Sequence, residues 1–407
     1  MESKNVVLLF GFIVLLISYI KINEKIYFSD NSNLNEVNTK NKNKKYINSS
    51  LPFEHIIKIN NELLLCSGLN YPKIFVTREY LSSKINDGAL FSYNIESNEL
   101  KSLNIENFPK NIPFHPHGIS LYKVSLDKYY LYIINHSINP NQKENEERIE
   151  KVLLTINNKN SNSEKLLLSF KNTVSLPKNF FGTLNSLAVV NLYTIYFTTQ
   201  NYFSLPSFSY DNKSDINSLY QIIKFKLYDW LNILFQKLNL KKSYLYSYNL
   251  DNGKINLIPN SEGLSNHGLA FNIDKSILYM SRTIEKDIKI FEISRNDPTK
   301  ALLINTVKTI YNVGNIFYDN KNEKIYAGIY GSYMERKNLE NNYIKNGNFD
   351  EVTTFGGFEE IDINNNYEIS YILLIKDEFK GVSSGIKINN NIYLSSPYQN
   401  GLLIYEI

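Results

Sequence analysis

The segment Phe114-His115-Pro116-His117-Gly118-Ile119-Ser120 sets two of the chain's five histidines on either side of one proline, and another follows at Asn135-His136. Imidazole gains and loses a proton near neutral pH, so a histidine held beside a substrate can take the proton of a water molecule. A buried histidine satisfied by its neighbours leaves the same trace in a sequence. The residues alone leave His117 and His136 open between a general base and a satisfied core or tunnel-lining side chain. The single cysteine, Cys66, follows Leu63-Leu64-Leu65 and reads as a buried apolar thiol. A reactive thiol needs a cationic, partly open setting, and its neighbours offer none. One cysteine also excludes an intramolecular disulfide.

Short strands must position these residues. One apolar pattern recurs six times: Leu63-Leu64-Leu65-Cys66, Leu131-Tyr132-Ile133-Ile134, Ile195-Tyr196-Phe197-Thr198, Leu278-Tyr279-Met280-Ser281, Ile325-Tyr326-Ala327-Gly328 and Ile392-Tyr393-Leu394-Ser395. Turn-forming residues precede several copies, such as Asp274-Lys275-Ser276 and Asn320-Lys321-Asn322. A second strand pattern follows the first. Leu245-Tyr246-Ser247-Tyr248-Asn249-Leu250 turns at Asp251-Asn252-Gly253, and Leu90-Phe91-Ser92-Tyr93-Asn94-Ile95 leads to a turn at Glu96-Ser97-Asn98. Weaker copies lie near Leu153, Ile288, Phe358 and Leu402. Strand-then-hairpin modules recurring at roughly 50 to 80 residues suit radial blades of four strands. The expected fold is all-β: a six-bladed β-propeller over residues 51–407, closed by the strand from Leu402 to the C-terminus.

One segment departs from this regime. Around residues 215–242, Ile222, Ile223, Leu227, Trp230, Leu231, Leu234 and Leu238 recur at helical spacing, flanked by Lys224, Lys226, Lys237, Lys241 and Lys242. This predicts an inserted amphipathic helix that either caps the propeller or rests on a membrane surface. The polar stretch at residues 333–354 carries no readable signal.

Residues 6–20 are uncharged, with Lys4 before them and Lys21 after. As a helix they span about 22 Å, short for a hydrocarbon core of about 30 Å. No small-residue cleavage site follows, so residues 1–29 read as an uncleaved signal anchor and its flank. Residues 30–50 read as a flexible tether rich in Asn and Lys. Sequons at Asn48, Asn135 and Asn212 agree with a secretory route. The expected location is membrane-anchored, with the propeller in the endoplasmic reticulum lumen or outside the cell; the alternative is secretion. A net charge of only +4 gives no reason to expect nucleic acid.

Taken together, Phe114 to Ser120, the Asn135-His136 strand end and Ser67-Gly68-Leu69-Asn70-Tyr71-Pro72 resemble the paraoxonase/arylesterase family, calcium-dependent six-bladed propellers. The resemblance runs from about Leu51 to Ile407, with extra material near residues 338–354, and includes the hydrophobic leader. It implies that His117 and His136 form a dyad that activates water. It also implies a tunnel calcium that polarises the substrate carbonyl. Asn185 in Thr183-Leu184-Asn185-Ser186 and Asn315 in Val313-Gly314-Asn315-Ile316 match calcium ligands of the family. Glu54 is what remains of an acidic pair. Gly314 and Ser186 stand where the family has aspartates. His267 precedes Gly268 where an asparagine is expected, so Asn266 serves only if its strand shifts by one residue.

Each lost carboxylate removes an attraction of order several kcal/mol from a calcium site. Calcium is therefore a weakened expectation, and impaired hydrolysis with it. Two functions follow from the resemblance. The first is a membrane-held chaperone or accessory protein for a membrane partner. The alternative is a calcium-dependent lactonase or arylesterase. A gluconolactonase-like enzyme is a third reading, against which the Phe114 to Ser120 stretch argues.

Overall fold

The computed structural model describes residues 43–71, 88–139, 144–157, 165–177, 180, 182–201, 227, 231, 232, 234–349 and 351–407. The hydrophobic leader, Asn212, Trp230 and most of the 215–242 segment lie outside them. Among the described residues no helix is long and apolar enough to cross a membrane.

The chain lays down its strands in sequence. The first group is β1 (Lys44–Lys58), β2 (Leu63–Leu69), β3 (Gly88–Asn94) and β4 (Glu99–Leu103). Next come β5 (Ile105–Glu106), β6 (Pro116–Lys123), β7 (Lys128–Asn139), β8 (Glu144–Asn157) and β9 (Lys165–Ser175). A third group is β10 (Thr183–Asn191), β11 (Thr194–Asn201), β12 (Leu245–Asn249) and β13 (Ile255–Leu257). A fourth is β14 (Asn266–Asn272), β15 (Ile277–Arg282), β16 (Asp287–Ile293) and β17 (Ala301–Lys308). The chain ends on β18 (Val313–Asp319), β19 (Lys324–Ile329), β20 (Phe355–Asp362) and β21 (Glu368–Lys376), then β22 (Ser384–Ile388), β23 (Asn391–Ser395) and β24 (Asn400–Glu406). Helix α1 (Tyr333–Asn346) joins β19 to β20.

Neighbours within each group pair as antiparallel meanders, and β5 adds a short parallel edge to β9. Strands β1, β6, β10, β14, β18 and β22 touch one another in a closed sequence, so they line the axis. The chain is an all-β propeller. Each repeated apolar pattern is the second strand from that axis (β2, β7, β11, β15, β19 and β23). Its large residue (Leu64, Tyr132, Tyr196, Tyr279, Tyr326 or Tyr393) is buried. A core of separate clusters follows, each between two neighbouring groups of strands. Each aromatic there removes about 150–250 Å² from water. Its hydroxyl is brought to an acceptor where one is near, as from Tyr326 to Asp319 Oδ2 at 3.0 Å and from Tyr196 to Pro298 O at 2.8 Å.

Strand β1 corrects the boundary at residue 51. Its first half pairs with β24, from Lys44 opposite Tyr405 to Ile47 opposite Leu402. Its second half, Phe53 to Lys58, pairs with β2. One strand thus joins the last group to the first, making a single seven-stranded sheet. Residues 44–50, expected in the tether, belong to this strand. Composition hid this strand because the ladder is a backbone property, and only Ile47 is buried among the polar residues 44–50.

Two more expectations change. The stretch at residues 333–354 holds α1, a 14-residue helix opened by a capping box. The Ser332 side chain accepts from Glu335 N, and Ser332 N donates to Glu335 Oε2 at 2.6 Å. The Asn135 sequon is closed, since its buried side chain donates to Pro113 O and Glu150 Oε1 and accepts from His115 N, whereas Asn48 is exposed. In the inserted segment the described residues Leu227, Leu231, Asn232 and 234–237 are helical, with Leu227 exposed.

Candidate active site

The inner strands carry polar side chains near one end of the axis and apolar ones further along. Glu54, His117, Asn185, His267 and Asn315 sit near the starts of the inward-facing stretches of β1, β6, β10, β14 and β18, and all are buried. The further parts of these strands, with His55, line a pocket of about 340 Å³ of mixed polar and apolar character.

A circuit of hydrogen bonds ties the polar ends together. Asn315 Nδ2 and Ser383 Oγ both donate to Glu54 O, at 3.1 and 2.6 Å. Asn315 N donates to Ser383 O at 2.7 Å. Ser281 Oγ donates to Gly314 O, and Thr198 Oγ1 to His267 O, each at 2.6 Å. Ile119 N donates to His55 Nδ1 at 3.1 Å. Backbones approach so closely that glycines are required on β6, β14 and β18. A Cβ on Gly118 would stand 2.4 Å from Asn185 O, and one on Gly314 would stand 2.6 Å from Ser383 O. No carboxylate can replace Gly314 without moving β22.

The histidines divide by role. His115 faces away from the axis, its Nδ1 2.7 Å from His136 O. His117 faces inward with Nδ1 2.8 Å from Asn185 O. A ring nitrogen against a carbonyl must carry its proton, so Nε2 presents a lone pair. That Nε2 lies 3.7 Å from Glu54 Oε1. Burial, with the adjacent His136, holds His117 well below the usual imidazole range, and it is neutral. The rings of His117 and His136 meet edge to face, with centroids 5.0 Å apart. His136 is backed by a carboxylate, with Nδ1 3.0 Å from Glu147 Oε2. Leu184 N donates to the same oxygen at 3.1 Å and fixes it. Glu147, His136 and His117 thus form a line from β8 through β7 to β6.

Of the four residues expected to hold calcium, three share this end of the axis. Glu54 Oε1 and Oε2, Asn185 Oδ1 and Asn315 Oδ1 are buried without hydrogen-bond partners. Asn266 does not join them. Its strand shifts register between Asn266, opposite Arg282, and Leu269, but the Asn266 side chain turns from the axis, and its Nδ2 donates to Ser261 O at 2.9 Å. His267 takes the inward position, 5.3 Å from the Tyr330 ring between centroids. Four oxygens with one carboxylate fall short of the six to eight oxygens of a calcium centre. Among the described residues no three His, Cys, Asp or Glu side chains are placed to share a metal. A cation of the protein's own also acts on Glu54, the guanidinium of Arg336. As they stand, these side chains supply fewer and less charged ligands than a calcium centre has.

Burial drives the Glu54 carboxyl well above its ordinary range, and Arg336 only partly offsets this. Arg336 comes from the first turn of α1 and is 9% exposed. Its guanidinium lies 4.7 Å from the Tyr330 ring centroid, and Tyr330 stacks on Tyr398, which meets Tyr71 edge-on.

Sequence reasoning missed Glu147 and Arg336. Glu147 is opposite His136 only through the β7–β8 register. The signal for α1 was present in Ser332-Tyr333-Met334-Glu335, a capping-box spacing.

No protein-family model matches the sequence, and no curated protein matches it. Solved structures align over most of its length. A luciferin-regenerating enzyme is 10% identical with a TM-score of 0.47, covering 90% of this chain and 95% of its own. A gluconolactonase from Xanthomonas campestris is 10% identical with a TM-score of 0.46, covering 90% of each chain. The PQQ-bound aldose sugar dehydrogenase of Streptomyces coelicolor is 13% identical with a TM-score of 0.44, covering 90% of this chain and 98% of its own. At such scores the likeness carries no argument about chemistry, and the propeller is read from the sheets themselves.

Proposed function

We propose that this propeller hydrolyses lactones or aryl esters, using His136 as general base. The observation that carries the reading is the Glu147 carboxylate 3.0 Å behind His136 Nδ1. Glu147 holds the proton on Nδ1, so the Nε2 lone pair is left to accept one proton from a water molecule. The resulting hydroxide attacks the ester carbonyl, and the carbonyl π electrons move onto oxygen. Collapse of that intermediate expels the alkoxide or phenoxide, which recovers the proton from His136. His117, neutral beside it, lines the pocket without competing for charge. The expectation of lost hydrolysis rested on calcium as the needed charge; the backed histidine argues the other way.

The same reading counts six blades, with β1 shared between the last and the first. It keeps the propeller on the lumenal or extracellular side of a membrane, held by residues 6–20. An exposed sequon at Asn48 supports that placement.

The test is hydrolysis of phenyl acetate and a γ-lactone by the purified protein, with and without chelator. We expect turnover that survives chelation and disappears in His136→Ala. Turnover abolished by chelator would overturn the metal-free reading. No turnover of any ester would sink the hydrolase and favour the accessory-protein role, to be sought by gentle membrane pull-down.

A further inference from the structure

A guanidinium removed from water needs an anion or several acceptors. Arg336 is buried, and its Nε has no hydrogen-bond partner. Among the described residues no carboxylate lies within ion-pair distance of it. Its guanidinium packs on the Tyr330 ring, and the Glu340 and Glu54 carboxyls act on it only from beyond ion-pair distance. Its position adds to the imbalance. Arg336 lies in the first turn of a 14-residue helix, where the aligned peptide dipoles already place positive charge.

The helix that carries it is fixed firmly. Leu339 is fully buried against Tyr330 and Tyr398. Lys380 Nζ donates to Phe349 O and Val352 O, each at 2.7 Å, closing the chain that follows α1. A positive group is therefore built into the polar end of the axis and held there, with aromatic walls around it.

We propose that Arg336 is a receptor for the carboxylate group of a small organic acid. The planar guanidinium fork matches a carboxylate, and the Tyr330, Tyr398 and Tyr71 rings suit a short carbon chain. A phosphate monoester suits the place less well. It carries about −1.5 to −2 charge near neutral pH and would meet one guanidinium with Glu54 nearby. In naming the acid as the hydroxy acid released from a lactone, this inference rests on the hydrolase reading; carboxylate binding itself does not.

The experiment is thermal unfolding and calorimetric titration with 4-hydroxybutyrate, and with neutral 1,4-butanediol as control. The acid should raise the unfolding temperature of the native protein in a saturable way, and the diol should not. Arg336→Gln should weaken the acid roughly 10- to 100-fold, and Arg336→Lys should weaken it less. Glu340→Gln removes the carboxylate that acts on the guanidinium and should tighten acid binding, which keeps the test alive if the arginine variants do not fold. Equal response to acid and diol, or no response at millimolar acid, would overturn the proposal. Acid binding without ester turnover would leave it standing while the hydrolase reading fell. Ester turnover without acid binding or product inhibition would do the reverse.

Discussion

Nδ1 of His136 lies 3.0 Å from Oε2 of Glu147, and the two residues face each other across the β7–β8 ladder. Glu147 is therefore a positioning residue. Glu147→Gln keeps the shape but loses the charge that holds the Nδ1 proton in place. We expect kcat to fall about 100-fold with KM little changed, because the loss is felt as the proton moves. His136→Ala should cost as much or more. Glu147→Asp should recover part of the loss, which a merely structural role would not give. Steady-state kinetics of the three variants check this.

Much of the fold was legible because burial demands apolar residues at fixed places. The tyrosines at 132, 196, 279, 326 and 393 recur since each fills the same position in a second strand. The site was legible less evenly. His117 and His136 could be read because few residue types do their chemistry. Glu147 could not, because its facing partner is set by strand register rather than by spacing along the chain. The same rule decides Asn266 against His267, since neighbouring residues in a strand point to opposite faces. Arg336 was hidden by the polar composition around it, although Ser332 and Glu335 announced the helix that carries it.

The close approach of β6 to β10 gives a second prediction. A methyl on Gly118 would meet Asn185 O at 2.4 Å and Ser186 Cα at 2.9 Å, both backbone atoms. Neither can rotate away, so Gly118→Ala must part the two strands. We expect a loss of about 1–3 kcal/mol in stability. The parting also breaks the 2.8 Å contact of His117 Nδ1 with Asn185 O, so activity should fall even well below the unfolding temperature. Urea unfolding and assays at low temperature separate the two effects.

Closure by β1 gives a third. A chain begun at Leu51 keeps Glu54 but loses the pairing of Lys44 to Ile47 with β24. It exposes the surface of β24 that buried Ile47 covers. Loss of that side chain alone is worth about 1.5–3 kcal/mol, and the ladder adds to it. The ion pair of Lys44 with Glu378 is half exposed and adds little. Compared with a chain begun at residue 43, the shorter one should unfold at lower urea. Equal midpoints would mean that the first half of β1 closes nothing.

Glu359 gives the last, away from the site. It is wholly buried on β20, with Oε1 accepting from Ile310 N at 3.2 Å and Oε2 without a hydrogen-bond partner. Burial pushes its carboxyl up from the ordinary 4.5 to about 7. A raised carboxyl pKa means that the folded state holds this proton where the unfolded chain has released it. The contribution is thus fully present below the unfolded value and is lost as pH rises through the folded one. Stability should fall between about pH 4.5 and pH 8, by about 3 kcal/mol from this group. Glu359→Gln keeps the acceptor and cannot ionise. It should match the native protein at the acid end of that range and exceed it at the alkaline end. Unfolding curves at both ends decide the matter, and a variant no more stable above pH 8 would show that Glu359 ionises in the folded chain at its ordinary pH.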